Sequence, residues 1–155
     1  MQITRTLHSP EETAALARRL GAMLSAGDTV LLSGDVGAGK THFARALIQS
    51  LLPVPEDVPS PTFTLVQTYD TIRGVEIWHA DLYRLSDPSE CEELGLTEAM
   101  TQAICLIEWP DRLSDLRPSD ALDISLATAD AEQTRLLTAT WSDPRWDIKL
   151  IDWIP

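Results

Sequence analysis

Eight consecutive residues, Gly34-Asp35-Val36-Gly37-Ala38-Gly39-Lys40-Thr41, fill every fixed position of a phosphate-binding pattern: a glycine, four variable residues, then Gly-Lys-Thr. The chemistry such a stretch offers is anion binding by the backbone itself. Glycines let the chain curl without a Cβ penalty, so the amides of Asp35, Val36, Gly37, Ala38, Gly39, Lys40, Thr41 and His42 turn toward phosphate oxygens at the mouth of a helix. Lys40 adds an ammonium for the terminal phosphates, and the Thr41 hydroxyl adds one oxygen of an octahedral magnesium shell. Magnesium also needs a carboxylate at the end of a strand beside the loop. Two apolar runs deliver one: 104–107 ends on Glu108, and 75–80 ends on Asp81. Glu108 is ranked first as metal ligand. Either acid is equally placed to orient or deprotonate an attacking water. Thr62, in the loop Val58-Pro59-Ser60-Pro61-Thr62-Phe63, stands where a nucleotide-sensing segment would reach the terminal phosphate, although a stiffened connector reads the same way. Together these residues predict a nucleotide triphosphatase or kinase of minimal size. The chain contains no asparagine and so cannot carry the Asn-Lys-x-Asp element that reads guanine, which leaves adenine.

The elements that must position these groups follow from spacing. Ser9-Pro10-Glu11-Glu12 supplies a cap, a first-turn proline and a capping glutamate for a helix reaching about Leu24. Residues 29–33 form a buried strand, the glycine loop follows, and a second helix runs from Lys40 to about Leu52, where Pro53 and Pro55 stop it. A strand is predicted over 1–8, hairpins over 63–81 and 121–141, two short helices over 87–101 split at Gly95, and a strand over 103–108. The expected fold class is α/β: a three-layer P-loop fold whose mainly parallel central sheet is extended by antiparallel hairpins. One domain over 1–155 is expected, with no internal repeat.

Composition narrows the partners. Acidic residues outnumber basic ones to give a net charge of −12, and the basic residues are scattered, so direct DNA or RNA binding is disfavoured and any nucleic acid should be held by a partner. No apolar run is long enough to span a bilayer, and the first residues lack a secretory core, so a cytoplasmic, non-membrane protein is expected. Cys91 and Cys105 read as reduced, packed side chains.

The ordered blocks Gly34 to Phe43, Ser60-Pro61-Thr62-Phe63-Thr64-Leu65, His79-Ala80-Asp81-Leu82-Tyr83-Arg84-Leu85, Glu93-Leu94-Gly95-Leu96 and Leu106-Ile107-Glu108-Trp109-Pro110 resemble the TsaE family. The resemblance covers about residues 9–113 and implies a small bacterial P-loop ATPase that supports threonylcarbamoyl transfer to the adenosine beside the tRNA anticodon. It implies ATP and Mg2+ as ligands and TsaB and TsaD as partners, with TsaD performing the transfer and tRNA reached only through them. It further implies that Thr41 and Glu108 hold magnesium, that Asp81 assists at the metal or the water, that the 60–64 loop behaves as a switch, and that Thr13 lies on the base side of the nucleotide. His42 departs from the family, which commonly has a second Thr there, and the match fades after Arg112.

Two other classes remain open at this stage. A small-molecule kinase would need a phosphate-clamping lid, for which the chain after residue 84 offers only the widely spaced Arg112, Arg117, Arg135 and Arg145. A nucleotide-gated interaction module would bind ATP with little turnover. His79 reads as a packed or hydrogen-bonded strand residue, Arg84 as a surface ion pair or a phosphate ligand, and Trp109 as core or as a neighbour of the site. The apolar segment from about 142, with Trp146 and Trp153, either covers the chain's own core or docks on a partner.

Overall fold

The computed structural model describes residues 1–154. Its elements are β1 (Gln2–Leu7), α1 (Pro10–Met23), β2 (Thr29–Ser33), α2 (Lys40–Leu51), β3 (Val66–Asp70), β4 (Glu76–Asp81), α3 (Ser89–Glu93), α4 (Leu96–Gln102), β5 (Ile104–Glu108), a 3-10 segment (Pro110–Leu116), β6 (Leu122–Thr128), β7 (Arg135–Thr140) and α5 (Arg145–Lys149). All seven strands lie in one sheet, in the order β1-β7-β6-β2-β5-β4-β3. The pairs β2–β5, β2–β6 and β4–β5 are parallel, and β3–β4, β6–β7 and β1–β7 are antiparallel. This is the expected parallel centre with hairpin extensions.

Alternation along the central strands builds the layers, because successive side chains point to opposite faces. Val30 and Leu32 of β2, with Ile104 and Leu106 of β5, join α1, α2 and α5 in one core. Leu31, Cys105 and Ile107 point the other way and pack with Cys91, Leu96, Ala99 and Leu113 in a second. The strands are therefore buried on both sides, which is why they read as continuous apolar runs. β6 and β7 fill only the first core, through Leu122, Ile124, Leu126, Leu137 and Ala139.

α1 begins as anticipated. Ser9 Oγ accepts from the Glu12 amide at 3.1 Å, and Glu12 Oε2 accepts from the His8 amide at 2.7 Å, a reciprocal arrangement in which the cap alone contributes about 1 kcal/mol. The strand expected from Phe63 needs correcting: β3 starts at Val66. Residues 62–64 turn instead, Leu65 takes a left-handed backbone (φ 68°), and Phe63 is 84% exposed. The apolar segment from about 142 covers the chain's own core: Trp146 and Trp153 are fully buried, and the Trp153 indole N–H donates to the Leu16 carbonyl at 3.0 Å. No helix among the described residues is long and apolar enough to cross a membrane.

Candidate functional site

The carboxyl ends of β2, β5 and β4 lie side by side, with Glu108 paired to Leu32 and Asp81 paired to Glu108 in register. Equivalent rises along parallel strands thus bring both sequence-predicted acids to one end of the sheet, next to the glycine loop that leaves β2. The loop's course depends on missing side chains. A Cβ on Gly34 (φ 145°) would stand 2.4 Å from the Leu126 carbonyl oxygen, and Gly39 caps α2 from the left-handed region at φ 109°.

A cleft of about 450 Å³ opens here, lined among others by Gly37, Gly39, Lys40, Thr41, His42, Thr62, Asp81, Arg84, Glu108 and Trp109. Lys40 is only 5% exposed. Its Nζ donates to the carbonyls of Gly34 at 2.5 Å and Asp35 at 3.0 Å and lies 4.2 Å from the centroid of the Trp109 ring. Burial lowers its pKa below the ordinary lysine value, an effect opposed by the charges of Glu108, Asp81 and Asp35. Trp109 is placed by its own left-handed backbone (φ 57°) immediately after Glu108, and the Tyr83 ring packs 5.0 Å from it.

The two carboxylates are held differently. Glu108 Oε1 accepts from the Thr41 hydroxyl at 2.8 Å, and its Oε2 meets His79 Nε2 at 2.7 Å. His79 is fully buried and its Nδ1 has no hydrogen-bond partner. Because the carboxylate can only accept, a ring proton belongs on Nε2. Asp81 Oδ2 accepts from Ser60 Oγ at 2.8 Å and Thr62 Oγ1 at 3.1 Å, while Oδ1 accepts from the Tyr83 amide at 3.1 Å. The 60–62 segment is therefore tethered to the end of β4 by two hydroxyls.

The oxygens of Thr41, Glu108 and Asp81 fit a hard divalent cation. Adjacent ligands of an octahedron with bonds of roughly 2.0–2.1 Å stand about 2.9 Å apart, close to the Thr41–Glu108 separation. Of the residues expected to contact nucleotide, Val36, Gly37, Gly39, Lys40, Thr41, His42 and Thr62 line the cleft. Ala38 is buried behind it, and its amide closes a turn on the Asp35 carbonyl at 3.0 Å. Thr13 is outside the cleft lining, and its hydroxyl donates to the Ser9 carbonyl at 3.3 Å. His79 is the packed, hydrogen-bonded strand residue expected, and what its position did not reveal is the partner, Glu108 on the neighbouring strand. Arg84 is outside the core and has no ion pair among the described residues: it lines the cleft with its guanidinium 4.7 Å from the Phe63 ring.

Comparison with known proteins agrees with this geometry. Residues 7–137 match the family model described as threonylcarbamoyl adenosine biosynthesis protein TsaE. The tRNA threonylcarbamoyladenosine biosynthesis protein TsaE of Rickettsia bellii is 41% identical over 82% of this chain and 88% of its own length. The protein of the same name from Bacillus subtilis is 37% identical over 90% of this chain and 86% of its own. The crystal structure of Bacillus subtilis YdiB superposes with a TM-score of 0.82 at 29% identity, covering 99% of this chain and 94% of that one.

Proposed function

From the premise that this chain belongs to the TsaE family, and so to tRNA threonylcarbamoyladenosine biosynthesis, we propose that it binds and slowly hydrolyses ATP with magnesium, in the cytoplasm, in concert with TsaD and TsaB. The observation that carries this reading is the Thr41–Glu108 contact at 2.8 Å beside a buried lysine at the mouth of α2. An ammonium, a hydroxyl and a carboxylate meet there, which is the set a triphosphate and its counter-ion require.

Each residue has a distinct task. The loop amides and the N-terminal end of α2 bind phosphate oxygens, with the helix dipole adding to the attraction. Lys40, now bonded to loop carbonyls, is within its own side-chain swing of the cleft and meets the terminal phosphates. Thr41, Glu108 and Asp81 would hold magnesium, which would offset the charge gathering on the transferred phosphoryl group. Asp81 also positions the 60–62 loop, its carboxylate accepting from the Ser60 and Thr62 hydroxyls. Slow turnover is expected of a cleft in which Arg84, the one guanidinium lining it among the described residues, lies 4.7 Å from the Phe63 ring. An acidic chain of net charge −12 gains little from tRNA phosphates, so TsaD and TsaB hold the nucleic acid.

The test is ATP hydrolysis by the parent chain and by Lys40→Ala and Glu108→Ala, each checked for folding, with and without TsaD and TsaB. Loss of turnover in both variants is expected. Unchanged turnover in both rejects the site assignment.

A further inference from the structure

We infer that Arg135, near the end of the span that matches the family model, is the positioning residue that sets the phosphate-binding loop in its anion-ready shape; this rests on the nucleotide reading above. Its Nε donates to the Ala38 carbonyl at 3.1 Å and its NH2 group to the Gly37 carbonyl at 3.4 Å, while NH1 donates to the carbonyls of Glu132 at 3.0 Å and Thr134 at 3.1 Å. One half-buried guanidinium therefore joins the turn between β6 and β7 to the outer side of the loop.

The consequence lies in the peptide plane. In a trans peptide the carbonyl of one residue and the amide N–H of the next point in opposite directions. Fixing the Ala38 carbonyl outward on Arg135 turns the Gly39 amide inward, toward the cleft that Gly39 lines. The Ala38 amide is already committed to the Asp35 carbonyl at 3.0 Å, so the Gly37 contact braces that turn and leaves Gly39 as the donor that Arg135 aims. A loop containing three glycines at positive φ has many alternative shapes, and its ordering cost would otherwise fall on the ligand. β6 supplies the second half of the support, because the Leu126 carbonyl oxygen is what any Cβ on Gly34 would strike. The planar fork of Arg135 matters here as much as its charge, since a lysine cannot hold two carbonyls in one plane.

The experiment measures ATP affinity by calorimetry on the full chain, without metal and with magnesium, for the parent, Arg135→Leu, Arg135→Lys and Lys40→Ala. Arg135→Leu is expected to weaken ATP binding about tenfold under both conditions, with kcat at saturating ATP within about twofold of the parent. A merely structural role would lower the melting temperature and leave the affinity of the folded fraction unchanged. Arg135→Lys keeps the charge and the aliphatic stem and is expected to stay weak; it carries the test should Arg135→Leu fail to fold. Parent-like affinity in Arg135→Leu, or full restoration by Arg135→Lys, overturns the inference while Lys40→Ala still loses ATP. Undiminished binding in Lys40→Ala overturns the nucleotide reading and this inference with it.

Discussion

The sheet carries buried carboxylates at both ends of its parallel strands, and the two ends use them in opposite ways. At the amino end Asp28, just before β2, is 2% exposed. Its Oδ2 accepts from the Ser25 amide at 2.9 Å and from Lys149 Nζ at 2.6 Å, and Arg145 lies 3.5 Å from its Oδ1. Both cations come from α5, so the acid is neutralised on the spot and the helix is fastened over the core. At the carboxyl end Glu108 and Asp81 are held by hydroxyls, a histidine and an amide, while Lys40 donates to backbone carbonyls. Their charge faces an open cleft. The same side-chain chemistry makes a fastener where cations are ion-paired to it directly, and the floor of an open cleft where its direct partners are hydroxyls, an imidazole and an amide.

That contrast can be broken from either side. The largest effect is expected at the open end: Glu108→Ala should lower ATP turnover by about 10²–10³ with the melting temperature little changed, checked by steady-state hydrolysis beside thermal denaturation. At the closed end Asp28→Asn leaves two cations without their shared partner. We expect a loss of about 3 kcal/mol, or roughly 6–12 °C in melting temperature, with ATP affinity of the folded protein unaffected. If Asp28→Asn instead impaired ATP binding at full stability, the division between the two ends would be wrong. A finer cut is His79→Leu, which releases Glu108 Oε2. It should weaken magnesium or manganese affinity in the ATP complex about tenfold, while metal-free ATP binding holds; His79→Gln, whose amide can donate where Nε2 does, should restore most of it.

The smallest effect concerns Cys105, on the strand that joins the two ends. Burial pushes its thiol up to about 12 from the ordinary 9.0. A thiol whose folded pKa is raised contributes stability that is intact below the unfolded value and is lost as pH climbs from about 9 toward 12. Melting temperature followed upward from neutral pH should therefore fall on the alkaline side, and fall less steeply in Cys105→Ala than in the parent.

The central sheet was legible because periodicity and punctuation agreed: 29–33 and 104–108 are short apolar runs closed by a glycine cluster and by a proline. Glu108 and Asp81 were legible for the same reason, as acids terminating such runs. The start of β3 was not, since Phe63 and Thr64 have strand propensity while the turn they form is set by the Ser60 and Thr62 bonds to Asp81, about twenty residues away. His79 was legible as a packed or hydrogen-bonded residue, but not its partner, because Glu108 lies on another strand. The covering by Trp146 and Trp153 needed Asp28 and Leu16 as anchors, and no local pattern announces a contact across more than a hundred residues.

One further property follows from the ring that Lys40 faces. Of the five tryptophans, Trp146 and Trp153 are fully buried, whereas the Trp109 ring centroid sits 4.2 Å from the Lys40 ammonium, the cation that the proposed function turns toward a triphosphate. Under the proposed function, withdrawal of that cation alters the electronic surroundings of the Trp109 indole, and its emission is expected to change when ATP is added, with no label attached.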